Sequence, residues 1–181
     1  MSAFFFRTSG VCALAAIFLA PPALAHITLE TRQAAPGTSY KAVLRVPHGC
    51  QGSATVKIQV RIPEGVVAVK PQPKPGWTLT TVTGAYAGTH TAHGAQLDSG
   101  VQEITWSGGP LQNDHYDEFV FVGFLSNALE PRSTLHFPVI QECAQGLARW
   151  VDLPAAKHEH AHGDHGAAFP APALELLPRS K

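Results

Sequence analysis

The sequence predicts one all-β domain, a β-sandwich, with a leader before it and a tail of different composition after it. Apolar and polar residues alternate in short runs, and no run in the body of the chain has the periodicity of an amphipathic helix. The chain has 16 Gly and 15 Pro among 181 residues, so turns are frequent and long helices are disfavoured. These observations together favour the all-β class.

The clearest strand spans residues 56–62, where every second residue is Val or Ile and the others are Lys, Gln and Arg, until Pro63 ends it. A second strand spans residues 40–46 and ends at Pro47. Further strand candidates are Ile27–Thr31, Val66–Lys70, Thr78–Thr83, Gln102–Trp106, Phe119–Leu125, Thr134–Gln141 and Arg149–Leu153. Short strands that recur about every ten residues between Gly, Pro and Asn turns are typical of a sandwich.

The charge balance excludes some functional classes. Lys and Arg number 13, Asp and Glu also number 13, and the formal net charge is zero. A nucleic-acid-binding protein normally carries a clear basic excess, so we expect no nucleic-acid partner. Charged residues make up 14% and hydrophobic residues 45%, a composition that excludes a fully disordered chain.

Residues 1–25 are predicted to be a secretory signal peptide. Arg7 precedes the apolar run Val11–Leu19, and the segment closes on the small residues Ala23 and Ala25. The apolar run is too short to span a bilayer as a helix. A lipid-anchored Cys12 is the alternative, but Val11 lacks the small size that a lipoprotein site needs before its cysteine. We therefore expect cleavage between Ala25 and His26 and a periplasmic or secreted product.

Cleavage would leave two cysteines, Cys50 and Cys143. Two cysteines in an exported chain most simply form a disulfide. No other apolar run approaches the length that crosses a membrane, so we expect no membrane span in the mature chain. The predicted domain then covers residues 26–154.

Residues 155–181 are predicted to be a low-complexity, disordered, His-rich tail. Its four clustered histidines are His158, His160, His162 and His165. Imidazoles at this density would capture copper, zinc or nickel ions. The alternative is a solvated linker without a function in metal binding.

Cleavage would also make His26 the first residue of the mature protein. An N-terminal histidine can chelate one metal through its α-amino group and its ring Nδ1. Both donors are nitrogens, and copper(II) prefers tetragonal sites built from nitrogen and oxygen. The alternative is that cleavage falls before a histidine by chance.

Other ligands would have to come from the folded chain. The richest segment is residues 113–118, which contains His115, Asp117 and Glu118 just before the strand at residue 119. An ordinary acidic loop is the alternative. Trp77, Trp106 and Trp150 lie in or beside predicted strands and are either core residues or neighbours of a metal.

Several known sites are excluded by what the sequence lacks. A blue-copper site needs a Cys, two His and usually an axial Met. Met1 is the only methionine and would be lost on processing, and the segments after Cys50 and Cys143 lack the usual copper-ligand loop. Zinc-finger spacing, Cys-x-x-Cys motifs, phosphate-binding glycine loops and the Gly-x-Ser-x-Gly elbow are also absent from the sequence.

A set of short motifs in one order resembles the YcnI-like (DUF1775) copper-binding family. The matching segments are residues 25–28 (AHIT), 35–37 (APG), 44–50 (LRVPHGC), 58–65 (IQVRIPEG), 74–77 (KPGW), 104–109 (ITWSGG), 116–119 (YDEF) and 149–150 (RW). The resemblance covers about residues 25–153.

This resemblance implies a cupredoxin-like or immunoglobulin-like β-sandwich that binds copper(II) through a mono-histidine brace. In such a brace the N-terminal histidine supplies its amine and its ring, and a carboxylate and a nearby Trp complete the site. His26 matches the brace histidine, and Glu118 is the predicted carboxylate. The rival ligands are His115, Asp117 and Glu30. Trp150 is the predicted neighbour, with Trp106 as its rival.

The resemblance also implies one disulfide, between Cys50 and Cys143. Family members often end in a membrane-spanning helix, whereas this chain ends in the His-rich tail, so membrane tethering is not implied. The expected function is periplasmic storage, buffering or delivery of copper(II), without enzymatic activity. The expected partners are the copper ion itself and other periplasmic copper chaperones or a membrane copper transporter.

Three alternatives stay open on sequence. A histidine-brace copper oxidase or monooxygenase would need a second histidine, for which the candidates are His48, His90, His93, His115 and His136. A CopC-like copper carrier would need an Asp-x-His pair, which the predicted domain lacks. The last alternative is an exported scaffold or adhesion sandwich that binds no metal.

Overall fold

The computed structural model describes residues 26–153 and 169–179. All regular elements in these ranges are strands. They are β1 (Thr28–Leu29), β2 (Gln33–Ala34), β3 (Ser39–Val46), β4 (Thr55–Arg61), β5 (Val66–Pro71), β6 (Trp77–Ala92), β7 (Ala95–Leu111), β8 (Asp117–Leu125), β9 (Thr134–His136), β10 (Val139–Cys143), β11 (Leu147–Trp150) and β12 (Ala173–Leu176). The predicted all-β class is confirmed.

The strands form two facing sheets and a small third one. The first sheet has the order β1-β3-β8-β5, and the second has the order β11-β10-β4-β7-β6. The third sheet joins β2, β12 and β9. Buried side chains from both large sheets, among them Leu44, Phe119, Ile58 and Trp106, fill the space between them. The protein is therefore a β-sandwich, as predicted.

The alternation expected in residues 40–46 and 56–62 is present in the structure. Ala42, Leu44 and Val46 of β3 are fully buried, whereas Lys41 is exposed and Arg45 is half-buried. In β4, Ile58 and Val60 are fully buried. Since alternate side chains of a strand point to opposite faces, the pattern directs one face of each strand into the core.

The hairpin of β6 and β7 is much longer than the strands predicted at 78–83 and 102–106. Its strands have 16 and 17 residues and are joined at His93 and Gly94, both with positive φ. Two such residues make the turn type that matches the twist of a hairpin. The far half of the hairpin, residues 84–101, could not be predicted because it is rich in Gly, Ala and Thr and lacks an alternation of apolar and polar residues.

The end of this hairpin folds back onto the first sheet. The His90 ring is buried, with Nε2 2.6 Å from a Glu64 carboxylate oxygen and Nδ1 3.0 Å from the Ser126 hydroxyl. The His93 ring packs on Phe124, with the ring centroids 5.0 Å apart. These contacts fasten the hairpin beside β5, an edge strand of the first sheet.

Residues 173–176, which were predicted to lie in a disordered tail, form strand β12, so the folded domain does not end at residue 154. Strand β12 pairs in parallel with β2 and antiparallel with β9. Leu174 and Leu176 are 0% and 1% exposed and belong to the main core. The Ala-Leu-Glu-Leu alternation was overlooked because Pro and Ala surround it. His158, His160, His162 and His165 lie outside the described residues.

A disulfide joins Cys50 to Cys143, with Cα atoms 5.9 Å apart, as expected. It ties the turn after β3 to the end of β10 and closes a separation of 93 residues. Both cysteines are buried. Within the described ranges, no helix is long and apolar enough to cross a membrane.

Candidate metal centre

His26 lies two residues before β1 and is half-buried. Its ring meets the indole of Trp150 edge-on, with ring centroids 5.6 Å apart and an interplanar angle of 70°. Trp150, in β11, is 4% exposed and also contacts Phe169, with ring centroids 5.1 Å apart. The structure therefore brings together the predicted brace histidine and Trp150.

Trp106 has a different environment. It is fully buried, and its indole N–H donates a hydrogen bond to the carbonyl of Gln72 at 2.9 Å. Its ring packs on Phe119, with centroids 5.6 Å apart, and Trp77 packs on the same ring at 4.9 Å. Trp106 and Trp77 thus belong to an aromatic cluster around Phe119, and Trp150 is the Trp beside His26.

A buried glutamine that the sequence analysis missed holds Trp150 in place. Gln141, on β10, is 1% exposed and accepts a hydrogen bond from the Trp150 indole N–H at 3.0 Å. Its amide nitrogen donates to the His48 carbonyl at 2.7 Å and to the Thr55 hydroxyl at 2.8 Å. A sequence signal was available, because Gln141 has the same strand parity as Val139 and Cys143, which face inward.

Replacing Gln141 with Leu should lower the free energy of unfolding by about 1–3 kcal/mol, because the buried indole N–H of Trp150 loses its acceptor. Chemical denaturation followed by Trp fluorescence measures this change. Gln59→Leu is the matched control, since Gln59 is half-buried on β4, and it should change stability by less than about 0.5 kcal/mol. Equal effects from the two variants would contradict the role given to Gln141.

A groove of about 330 Å³ lies beside His26, between β1 and the chain that leads into β12. Its lining residues are His26, Ile27, Thr28, Leu29, Arg32, Pro170, Ala171, Pro172 and Ala173. Arg32 is the charged side chain among these described residues, and its Nε–H donates to the Leu29 carbonyl at 3.4 Å. His26 thus borders an open space on one side and Trp150 on another.

Glu118, the predicted carboxylate ligand, lies two strands from β1. The strand register aligns Thr28 with Arg45 and Arg45 with Glu118. Directly paired residues share one face of a sheet, so Glu118 is on the same outer face as Thr28. The Glu118 carboxylate accepts a hydrogen bond from the Tyr116 hydroxyl and lies 3.9 Å from the Arg45 guanidinium.

Tyr116 is suited to remain a hydrogen-bond donor to Glu118. Loss of hydration and, next, the hydrogen bond to Glu118 raise the pKa of its phenol above the ordinary value. The phenol therefore stays protonated at neutral pH, and the carboxylate of Glu118 is the acceptor. Arg45 and Tyr116 were not predicted as site residues, although Arg45 shares the LRVPHGC segment with Cys50.

The rival ligands are dispersed. Glu30 forms an ion pair with Arg45 at 3.0 Å, at the same outer face. Asp117 forms an ion pair at 2.6 Å with Lys74, whose ammonium group lies over the Phe119 ring. His115 is exposed in the loop before β8, with its Nε2 3.8 Å from Asp114. Of these three, Glu30 is the one that shares the Arg45 guanidinium with Glu118.

Among residues 26–153 and 169–179, no group of three or more His, Cys, Asp or Glu side chains is close enough to hold a metal ion by itself. The α-amino group that processing would create at His26 is not a side chain and is not part of such a group. A metal site at His26 would therefore depend on the α-amine of His26 as well as on its ring.

Comparisons with known proteins agree with this fold. The family described as "Domain of unknown function (DUF1775)" matches residues 26–176, a range that includes β12. A solved structure described as "an uncharacterized protein from Nocardia farcinica" with "an immunoglobulin-like fold" is 24% identical, with a TM-score of 0.58. The alignment covers 84% of this chain and 98% of that one. No curated protein matches this chain.

Proposed function

We propose that this chain, which belongs to the DUF1775 family, is an exported protein that binds copper(II) at His26 by a mono-histidine brace. Its role would be to store, buffer or deliver copper in the periplasm. One observation carries this proposal: the residue that signal cleavage would place first lies at the start of a core strand, against a buried Trp and beside an open groove.

The chemistry of this position suits copper(II). The α-amine and the ring Nδ1 of one residue form a chelate, and both are neutral nitrogen donors when they bind the ion. Trp150 covers one side of the ring and would limit access of water there. The groove leaves another side accessible, as transfer of the ion to a copper chaperone or a membrane transporter would require.

Glu118 remains the carboxylate that we expect to contribute to the site. Glu118→Ala should weaken copper(II) binding by at least about 10–100-fold, because loss of a direct ligand should cost no less than loss of a group around the metal. Its side chain is 39% exposed, so the free energy of unfolding should change little. Calorimetric titration of copper(II) measures the affinity, and Glu130→Ala, a change at an exposed loop residue, is the control. An unchanged affinity would shift the role to Glu30, Asp117 or His115.

The segment 154–168 contributes a second element of the proposal. Its four histidines would capture copper and pass it to His26. The residues that flank this segment, Leu153 and Phe169, are both described, and Phe169 packs on the same Trp150 that His26 contacts. This arrangement supports capture close to the brace.

The test is isothermal titration of copper(II) into mature protein in which His158, His160, His162 and His165 are replaced by Ala. A mass spectrum first confirms that His26 is the N-terminal residue. We expect tight binding of one copper(II) ion per chain. Absence of binding, with copper held only by the protein that retains the four histidines, would overturn the proposal and assign metal binding to the segment.

A further inference from the structure

We propose that this protein binds a free α-amino acid with an apolar side chain, in a pocket between the β4–β5 turn and the β6–β7 hairpin. The pocket encloses about 380 Å³ and shares no lining residue with the groove beside His26, so the inference goes beyond the proposed copper site. The juxtaposition that carries it is the unpaired guanidinium of Arg61 and the carboxylate of Glu64 in one pocket, next to buried polar atoms without partners.

Arg61 offers its guanidinium to an anion. It is the last residue of β4 and is exposed. Among the described residues, no carboxylate lies within 4.0 Å of this guanidinium, although Glu103 is directly opposite in the strand register of β7. An arginine presents its N–H donors in a planar arrangement that matches a carboxylate. Arg61 is therefore suited to bind the α-carboxylate of the ligand.

Glu64 offers a carboxylate oxygen to a cation. Its Oε1 lies 2.6 Å from the ring Nε2 of His90, whose Nδ1 lies 3.0 Å from the Ser126 hydroxyl. These contacts hold the carboxylate in place, while the side chain remains 46% exposed. The second oxygen, Oε2, has no hydrogen-bond partner among the described residues. Because Glu64 and Arg61 have opposite charges, a ligand with both an ammonium and a carboxylate group complements the pair.

Two buried polar atoms of lining residues lack hydrogen-bond partners. They are Nδ1 of His136 and the hydroxyl of Tyr86, and the described residues contain one further such side-chain atom, Nε of Arg45. The Tyr86 hydroxyl is near the Ala68 backbone but makes no hydrogen bond of ordinary geometry. Buried polar atoms are nearly always paired in native proteins, so unpaired ones indicate a binding position for a polar ligand or water. Their concentration around one pocket points to a polar ligand there.

Two glycines of the hairpin make room for polar side chains of this pocket. A Cβ atom at Gly100 would overlap the Tyr86 hydroxyl, and one at Gly84 would lie 2.6 Å from the Gln102 side-chain oxygen. Neither glycine has a positive φ, so the backbone conformation does not require glycine at these positions. What requires glycine is the space taken by Tyr86 and Gln102, both of which line the pocket. The exposed half of the hairpin is thus shaped around the pocket.

The other walls favour an aliphatic side chain on the ligand. Ile62 and Val66 are buried, Val101 is half-buried, and Leu153 is 62% exposed. An aliphatic group in contact with them would remove apolar surface from water. Pockets for small molecules enclose about 300–1,000 Å³, and this pocket is at the lower end of that range. Its size therefore suits a single amino acid such as leucine.

The test is calorimetric titration of L-leucine into the mature full chain in the absence of metal ions. We expect saturable binding of one L-leucine per chain. Two analogues each lack one charged group, since 4-methylpentanoate has no ammonium and 3-methylbutylamine has no carboxylate. Each analogue should bind at least about tenfold more weakly than L-leucine, because it loses hydrogen bonds to a charged partner.

Two variants assign the charged contacts. Arg61→Gln should weaken the binding of L-leucine and 4-methylpentanoate by about tenfold or more and leave that of 3-methylbutylamine unchanged. Glu64→Gln should weaken the binding of L-leucine and 3-methylbutylamine and leave that of 4-methylpentanoate unchanged, while its amide oxygen still accepts from His90. Arg149→Gln and Glu130→Gln, at exposed positions outside the pocket, are the matched controls.

The inference is overturned if L-leucine does not bind, if either analogue binds as tightly as L-leucine, or if the two pocket variants weaken L-leucine no more than their controls. Circular dichroism checks that each variant retains its β structure, and the analogue series tests the inference without any variant. Copper is absent from these titrations, so their failure leaves the proposed function standing. Failure of the copper titration would equally leave the amino-acid pocket standing.

Discussion

Acetylation of the His26 α-amine should weaken copper(II) binding at the folded domain by at least about 100-fold. The acetyl group turns the α-amine into an amide and leaves no free amine nearby, so the His26 ring loses its chelate partner. The loss of a direct ligand should exceed the 10–100-fold effects seen for groups around a metal. Calorimetric titration of the two proteins, each with the 154–168 histidines replaced by Ala, measures the difference.

The matched control keeps the N-terminus and removes a histidine elsewhere. His115→Ala changes an exposed imidazole in the loop before β8 and should leave the copper affinity of the His26-initiated protein intact. Both proteins should unfold at the same denaturant concentration, since neither change touches the core. Equal copper affinity with and without the acetyl group would refute the brace.

Replacing Leu174 with Ala should lower the free energy of unfolding by about 2–5 kcal/mol, the range for a buried leucine reduced to alanine. Leu174 is fully buried in the main core although it lies near the C-terminus. A chain that ends at residue 154 loses Leu176 as well, together with the strand pairs to β2 and β9, and should be less stable than the point variant. Urea denaturation followed by Trp fluorescence measures both.

Glu175→Ala is the control for β12, because this side chain is exposed between the two leucines. It should change stability by less than about 1 kcal/mol, through loss of the surface hydrogen bond to Gln33. If the chain ending at residue 154 were as stable as the full chain, β12 would be an accessory to the domain and not part of its core.

The strands that could be predicted are those with a strict alternation. Residues 40–46 and 56–62 bury one face against the opposite sheet, so their pattern carries the information. The far half of the β6–β7 hairpin could not be recognised in this way because most of its side chains are exposed on both faces. Strand β12 has only four residues, and its partners β2 and β9 are remote in sequence. Its formation as a strand therefore depends on tertiary contacts that a local pattern does not reveal.

The candidate site could be predicted only where a local sequence pattern carries the information. His26 was identified from its position at a processing signal, which is a local pattern. The contact of His26 with Trp150 joins residues that are more than a hundred positions apart, and only the family resemblance indicated it. The surroundings of Gln141, Arg45 and Arg32 could not be predicted, because they exist only after the sheets have assembled. Gln141 bonds to Trp150, Arg45 pairs with Glu118 across two strands, and Arg32 lines the groove beside His26.

Because strand β12 belongs to the folded domain, the His-rich segment 154–168 is joined to described residues of the domain at both of its ends. The 15 residues from 154 to 168 connect two points on the sandwich, Leu153 and Phe169. At about 3.5 Å per residue, no histidine of this segment can lie farther than roughly 28 Å from Leu153 or Phe169. Such tethering corresponds to an effective imidazole concentration in the millimolar range. If these imidazoles bind copper as proposed, their local concentration is set by chain connectivity and does not fall when the protein is diluted.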